Sequence, residues 1–122
     1  MPPLTILYAE ANKVLMLNVT EMLEDEGWRV EACPDGPSAL EKIESDAHYD
    51  LLLLDSELPG VAGLELADRA RSLAHRLDTP IIILSTTEMG RRARKAGANL
   101  FLKKTENIYA IVEAVLKLAG RS

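Results

Sequence analysis

The feature that most constrains the fold is a run of four leucines at positions 51–54, bounded by Asp50 and Asp55. Four apolar residues are too few for a free-standing helix, but they suit a strand that is buried on both faces of a parallel sheet. The loop that follows, residues 56–60, ends in a Pro-Gly turn. Asp55 is therefore expected where a buried strand ends and a loop begins. In an open parallel sheet, that edge is where ligands bind.

Other short apolar segments indicate four further strands, each followed by a helical pattern. The strands are predicted at residues 4–9, 28–32, 81–84 and 100–102, and the helices at 13–26, 38–45, 64–75, 91–96 and from Asn107 onwards. This alternation predicts a doubly wound, flavodoxin-like (βα)5 α/β fold with a five-stranded parallel sheet in the order 2-1-3-4-5. A chain of 122 residues is expected to form one domain, residues 1–122, with no output domain attached.

Composition narrows the classes of function. The formal net charge of -5 argues against a general nucleic-acid binder, which needs a basic footprint. No apolar run reaches the ~18 residues of a membrane span, and the N-terminus lacks the regions of a signal peptide. The single cysteine, Cys33, excludes an internal disulfide and is typical of a reducing compartment. We therefore expect a cytoplasmic protein that contacts neither nucleic acid directly nor a membrane.

The carboxyl ends of the predicted strands bring chemically distinct side chains to one edge, namely Glu10, Asp55, Ser85 and Lys104. Glu10 and Asp55 follow neighbouring strands, and adjacent carboxylates repel unless a cation lies between them. This pair therefore predicts Mg²⁺ held by oxygen ligands. The hydroxyl of Ser85 and the ammonium of Lys104 would bind an anion, most simply a phosphoryl group. The set predicts a phosphoryl-transfer site with Asp55 as the acceptor.

The order and spacing of these motifs resemble the receiver domain of two-component response regulators over essentially the whole chain. The matching motifs are residues 51–55 with Leu-Pro-Gly at 58–60 and Gly-Leu-Glu at 63–65, Asp-Gly at 35–36 with Ala-Leu at 39–40, residues 80–85, and residues 95–99 running to Phe101 and Lys104. The resemblance implies that Asp55 accepts a phosphoryl group from a histidine kinase or a phosphotransfer protein. It also implies that Glu10, Asp55 and the backbone carbonyl of Glu57 hold Mg²⁺.

The resemblance assigns roles to three more residues. Ser85 would hydrogen-bond a phosphoryl oxygen, Lys104 would pair with it, and Phe101 would be the switch aromatic that swings inward when Ser85 moves. Ser85 could equally cap the next helix, because residues 85–88 have the spacing of a capping box. The implied protein is not an enzyme beyond self-catalysed phosphorylation and dephosphorylation. It would signal to a separate downstream protein, as a monomer or weak dimer.

The sequence departs from the family pattern at three places. The family usually has two adjacent acids in its first loop, whereas here the second is Ala11, whose methyl group cannot ligate magnesium. Weaker Mg²⁺ binding is therefore expected, with the amide of Asn12, also expected to cap the first helix, as a candidate substitute ligand. Thr105 stands where the family usually has a cis proline, and a cis bond before a non-proline costs ~2.5–4 kcal/mol. The segment between Ser85 and Gly97 is short, which predicts a stunted fourth helix.

Three functions remain open from the sequence. The first is a receiver that is phosphorylated on Asp55. The second is a pseudo-receiver that binds partners without phosphorylation, which Ala11 and Thr105 favour. The third is a small phosphatase with an aspartyl nucleophile, which the short chain disfavours because it leaves no room for a substrate-capping domain.

Two surfaces are candidates for partner contacts. The outer side of the first helix carries three apolar residues, Val14, Met16 and Leu17. They predict either a hydrophobic patch for a partner helix or dimer, or a face covered by neighbouring loops. The fourth helix carries four basic residues, Arg91, Arg92, Arg94 and Lys95. They suit either a solvated helix end, whose negative dipole they complement, or a docking face for an acidic partner.

Overall fold

The computed structural model describes residues 3–104 and 107–119. Within these ranges five strands alternate with five α-helices, and a short 3-10 turn, Ala74–Arg76, follows the third helix. The strands are β1 (Thr5–Ala9), β2 (Arg29–Cys33), β3 (Leu51–Asp55), β4 (Ile81–Ser85) and β5 (Leu100–Lys103). The helices are α1 (Lys13–Asp25), α2 (Gly36–Glu44), α3 (Gly63–Arg71), α4 (Gly90–Lys95) and α5 (Tyr109–Leu118).

All five strands are parallel and lie in the order β2-β1-β3-β4-β5, so the predicted fold is confirmed. The register aligns the strand ends: Leu84 pairs with Asp55, and Ser85 pairs with Lys103. The carboxyl ends of β1, β3, β4 and β5 therefore form one edge of the sheet.

The core consists of two apolar layers, one on each face of the sheet. Leu52 and Leu54 belong to the layer under α2, α3 and α4, whereas Leu51 and Leu53 belong to the layer under α1 and α5. All four leucines are fully buried, as predicted for a strand covered on both faces. Each contributes roughly 1.5–3 kcal/mol by leaving water, so the strand that carries Asp55 is firmly fixed.

The first helix follows the sequence prediction closely. The side-chain oxygen of Asn12 accepts a hydrogen bond of 3.0 Å from the N–H of Leu15, which is the expected N-cap. Val19 and Leu23, which are four residues apart and therefore on one side of the helix, are buried. The helix ends before Gly27, whose φ of 88° is the left-handed conformation in which glycine commonly ends helices.

The second helix begins at Gly36, two residues earlier than the sequence suggested. A side-chain oxygen of Asp35 accepts a 2.8 Å hydrogen bond from the N–H of Ser38, and proline is tolerated in the first turn, where its missing N–H costs nothing. A Cβ atom at position 36 would lie 2.1 Å from the carbonyl oxygen of Val61. Only glycine allows the start of α2 to approach the loop after β3 this closely.

The third helix is shorter than predicted and ends at Arg71. The hydroxyl of Ser72 donates a 2.6 Å hydrogen bond to the carbonyl of Arg69, a local bond that competes with continued helix. The following 3-10 turn positions Arg76, which is only 2% exposed. Its guanidinium donates to three carbonyls at the end of α2, those of Lys42, Ile43 and Ser45.

The fourth helix has six residues, short as predicted. The capping-box interpretation of residues 85–88 is wrong, because the helix begins only at Gly90. The hydroxyl of Ser85 instead accepts a 3.2 Å hydrogen bond from the N–H of Thr87. The carboxylate of Glu88 accepts a 3.0 Å bond from the N–H of Gly90. Ser85 therefore closes a tight turn at the end of β4.

Within the described ranges, none of the helices has the length and apolar character needed to cross a membrane.

Candidate functional site

Asp55 is the last residue of β3 and is 2% exposed. One carboxylate oxygen, Oδ1, accepts a 2.9 Å hydrogen bond from the N–H of Glu57, and Oδ2 accepts a 3.2 Å bond from the N–H of Ala11. A Cβ atom at Gly63 would lie 2.2 Å from the carbonyl oxygen of Asp55, so glycine there lets α3 start against the end of β3. The backbone around Asp55 thus fixes both the strand end and the carboxylate.

Lys104 brings a positive charge between two buried carboxylates. Its Nζ lies 2.6 Å from Oε2 of Glu10 and 3.1 Å from Oδ1 of Asp55. Glu10 is 0% exposed, so it is largely this ammonium that offsets the cost of burying two acids side by side. The structure therefore brings together Glu10, Asp55 and Lys104, as the topology suggested.

Both oxygens of Glu10 accept hydrogen bonds. Oε2 accepts from Lys104 and also from the N–H of Asn12, at 3.1 Å, and Oε1 accepts from the hydroxyl of Tyr8, at 3.2 Å. Tyr8 was not among the predicted site residues. Its signal in the sequence is its position two residues before Glu10, because alternate residues of an extended segment share a face.

The two carboxyl groups have pKa values shifted in opposite directions. Burial acts to raise the pKa of Asp55, but the hydrogen bonds from the N–H groups of Glu57 and Ala11 and the charge of Lys104 together hold that pKa below its usual value. For Glu10, burial raises the pKa, and the hydrogen bonds from Lys104 and Asn12 oppose this without cancelling it. Asp55 is therefore the more readily ionised acid of the pair, which is the state a nucleophile needs.

Ser85 lies at the same edge without a hydrogen bond to the carboxylates, whereas Phe101 lies within β5, beside Ile83 of β4. Ser85 is buried, its hydroxyl faces that of Thr87 at 3.3 Å, and its carbonyl accepts a 2.8 Å bond from the N–H of Lys104. Phe101 is half-buried and packs beside Gly90 against the layer under α2, α3 and α4. The phosphoryl contact of Ser85 and the switch role of Phe101 stay predictions.

The remaining predicted ligands are placed as follows. The side chain of Glu57 is exposed and its N–H is directed at Asp55, while the side-chain oxygen of Asn12 is engaged in capping α1. Ligation by Asn12 would require that capping bond to break. The peptide bond between Lys104 and Thr105 lies outside the described residues.

The donor set fits a magnesium ion. No cluster of three or more His, Cys, Asp or Glu side chains at metal-binding spacing occurs in residues 3–104 and 107–119. However, Mg²⁺ commonly binds through one or two carboxylates and keeps several waters. Glu10, Asp55 and the carbonyl of Glu57 provide hard oxygen donors of this kind, although the ammonium of Lys104 would have to give way.

The sequence model of the response regulator receiver domain family matches residues 6–116 of the chain. The chain belongs to the response regulator receiver domain family. Like other receiver domains it is therefore a signalling module of two-component systems.

Similar proteins extend the comparison. The transcriptional regulatory protein PdtaR of Mycobacterium tuberculosis is 31% identical over 117 residues, which are 93% of this chain and 55% of PdtaR. The gliding motility regulatory protein of Myxococcus xanthus is 30% identical over 119 residues, 94% of this chain and 15% of that protein. The receiver domain thus spans about half the length, or less, of these relatives.

Solved structures share the fold. The receiver domain of the Francisella response regulator 1452 has a TM-score of 0.87 and 25% identity, covering 96% of this chain and 97% of that one. The receiver domain of the sensor histidine kinase PA1611 of Pseudomonas aeruginosa has a TM-score of 0.87 and 27% identity, covering 97% and 98%. That second structure has a magnesium ion coordinated in its active-site cleft.

The predicted apolar patch on α1 of this receiver domain is smaller than expected. Val14 and Leu17 are 70% and 69% exposed. Met16, by contrast, is half-buried and packs against the apolar layer under α1 and α5, so it is not part of an exposed patch. The free apolar surface near the start of α1 therefore consists of Val14 and Leu17.

The basic residues of α4 all face solvent. Arg91, Arg92, Arg94 and Lys95 are exposed, and in the part of the chain that the structure describes none of them forms an ion pair. Their positive surface contrasts with the acidic chain as a whole.

Proposed function

We propose that Asp55 is the phosphoacceptor of this receiver domain and that a histidine kinase or a phosphotransfer protein is its phosphoryl donor. The observation that carries the proposal is the ion pair of 3.1 Å between Asp55 and Lys104 at the end of β3. It combines an acid with a lowered pKa and a cation placed to receive the charge of an incoming phosphoryl group.

The chemistry follows from this arrangement. A carboxylate oxygen of Asp55 attacks the phosphorus atom of the donor, and the bond between phosphorus and the donor nitrogen breaks. The leaving imidazole keeps the electron pair, and Asp55 becomes an acyl phosphate. The N–H groups of Glu57 and Ala11 hold the carboxylate for attack, and the ammonium of Lys104 pairs with a phosphoryl oxygen.

Magnesium is part of the proposal. Glu10, Asp55 and the backbone carbonyl of Glu57 would hold it, and when bound it would neutralise charge between the carboxylates and the phosphoryl group. Because Ala11 supplies no carboxylate and Lys104 competes for the same acids, we expect weak binding of the ion.

The test uses the purified protein, a small-molecule phosphodonor and intact-mass measurement with and without Mg²⁺. The proposal expects one phosphoryl adduct that requires Mg²⁺ and is absent in the Asp55→Asn variant. An adduct that persists in that variant would contradict Asp55 as the acceptor. Absence of any adduct at saturating Mg²⁺ would contradict a working phosphoryl switch.

A phosphorylation-independent pseudo-receiver is the second candidate. The observation that favours it is that Lys104 already bridges both carboxylates, so the acids are neutralised without a metal. Ala11 removes the side chain that would otherwise add charge to attract one. A stable partner complex that forms equally with wild-type protein and the Asp55→Asn variant would support this function.

The partner surface that we propose is the α1 side of the domain. Val14 and Leu17 provide its exposed apolar end. A groove of about 550 Å³ between α1 and α5 is lined by Met22 and Val112 and by four acids, Glu21, Asp25, Glu26 and Glu113. An amphipathic partner helix with basic flanks would complement this combination of apolar and acidic groups. The exposed basic run on α4 would serve a different, acidic partner.

A further inference from the structure

Tyr8 is a buried phenol in contact with the acid site. It lies on β1, between β2 and β3, and its side chain is fully buried in the layer under α1 and α5. Its hydroxyl group has one hydrogen-bond partner among the described residues, Oε1 of Glu10, at 3.2 Å. Burial and the neighbouring Glu10 raise the pKa of Tyr8 far above its usual value, so the phenol is a neutral donor.

The three donors to Glu10 differ in how firmly they are held. Lys104 reaches Oε2 through a flexible four-carbon chain, and it is the group that must move when a cation enters between the acids. The N–H of Asn12 also contacts Oε2. Among the described residues Tyr8 is the one hydrogen-bond donor to Oε1, and its ring is fixed by the strand and by core packing.

We propose that Tyr8 is a positioning residue that fixes the rotamer of Glu10 and thereby sets the affinity of the site for a divalent cation. The inference rests on the proposed function, in which Glu10 holds Mg²⁺. Groups that hydrogen-bond a metal ligand orient it, and their loss typically lowers metal affinity 10- to 100-fold. With Lys104 displaced, Tyr8 and the N–H of Asn12 are the contacts that keep Glu10 directed toward the ion.

The test is calorimetric titration of the metal-free protein with Mg²⁺ alone, comparing wild type with Tyr8→Phe. Tyr49→Phe is the matched control, since Tyr49 is also buried but lies under Arg76, with the guanidinium 4.9 Å from its ring centre. We expect affinity to fall about tenfold in Tyr8→Phe and to stay unchanged in Tyr49→Phe. Equal affinity in Tyr8→Phe and wild type would overturn the inference.

The outcomes separate this inference from the proposed function. If wild-type protein binds no Mg²⁺, the metal part of the proposed function fails and the role of Tyr8 falls with it. If wild type binds and Tyr8→Phe binds equally well, only the role of Tyr8 fails. If Tyr8→Phe does not fold, the ring carbon that bears the hydroxyl of Tyr8 is followed by NMR in wild type. Movement of that signal with Mg²⁺ supports the inference, and a signal that stays still overturns it.

Discussion

The ammonium group of Lys104 lies 2.6 Å from a carboxylate oxygen of Glu10, although the two residues are 94 positions apart in the chain. The contact joins the end of β5 to the end of β1 across the intervening β3 and β4, and Asp55 lies beside it. An internal cation thus occupies the position between two buried acids. A metal ion that enters the site has to displace this ammonium group, whereas a phosphoryl group can pair with it.

Replacing Lys104 with Met should destabilise the fold and make it more dependent on Mg²⁺. Removing one partner of a buried ion pair leaves a buried charge uncompensated, which costs about 3 kcal/mol. The free energy of unfolding, measured in urea, should fall by that amount and should recover more on adding Mg²⁺ than it does in wild type. Lys103→Met is the control and should change stability by less than about 0.5 kcal/mol. A Lys104→Met variant as stable as wild type would contradict this role.

Restoring an acid at position 11 should strengthen cation binding. Ala11 is exposed and its N–H already contacts Asp55, so Ala11→Asp adds a carboxylate beside Glu10 and Asp55 without disturbing the core. The affinity for Mg²⁺, measured by calorimetry, should rise at least about tenfold, since ligand charge tunes affinity for hard cations. The neutral Ala11→Asn variant controls for side-chain size. Equal affinities in the two variants would show that charge at this position does not limit binding.

The paired acids should give opposite pH dependences of stability. The folded pKa of Asp55 is lowered, so its stabilisation is present above the unfolded value of about 3.9 and is lost as pH falls through the folded pKa. The folded pKa of Glu10 is raised, so its contribution is present below about 4.3 and is lost as pH rises through the folded value. The free energy of unfolding of wild type should therefore exceed that of Asp55→Asn by an amount that increases with pH. The corresponding difference between wild type and Glu10→Gln should decrease with pH. If both differences changed with pH in the same direction, the opposite pKa shifts of Asp55 and Glu10 would be contradicted.

The buried guanidinium of Arg76 should be a major stabilising group. Its guanidinium donates to three carbonyls at the end of α2. Among the described residues, that of Ile43 has no other side-chain donor, so Arg76→Met should cost about 2 kcal/mol. Arg69→Met is the control, because Arg69 forms only an exposed ion pair with Glu44, worth less than about 1 kcal/mol. Denaturant unfolding of both variants checks the difference. Similar losses would show that capping of α2 is not the source of stability.

Leu17 should matter for partner binding and not for folding. The side chain is 69% exposed, so Leu17→Glu removes apolar contact area and adds a charge at the proposed partner surface. Leu77→Glu changes another exposed leucine outside that surface and serves as the control. Phosphoryl transfer from a cognate histidine kinase should slow in Leu17→Glu alone, while labelling by a small phosphodonor stays unchanged in both. Equal kinase rates would remove α1 as the docking face.

The fold could be predicted from the sequence because its strongest signals are local. The leucines at 51–54 and the apolar run at 81–84 suit strands covered on both faces, and the right-handed crossover rule then leaves few arrangements. The edge that gathers Glu10, Asp55 and Lys104 follows from that topology. The N-cap of α1 by Asn12 could likewise be predicted, because a cap and its helix are adjacent in the chain.

The missed features depend on contacts between distant segments. Arg76 looks like an ordinary surface residue until the turn after α3 places it at the end of α2. Tyr8 looks like any strand residue until Glu10 turns toward its hydroxyl. The early end of α3 results from competition between the hydrogen bond of the Ser72 hydroxyl and helix propensity, which a periodic pattern does not resolve.

The role of Asp55 as phosphoacceptor is tested most directly by locating the phosphoryl group chemically. Wild-type protein treated with a phosphodonor and Mg²⁺ is reduced with borohydride, which converts an acyl phosphate to an alcohol, and is then digested and mapped by mass spectrometry. If Asp55 is the phosphoacceptor, homoserine replaces Asp55, and the acids at Glu10 and Glu57 stay unmodified. Homoserine at another position would contradict Asp55 as the phosphoacceptor. The same holds if no homoserine is found although the intact protein carries a phosphoryl adduct.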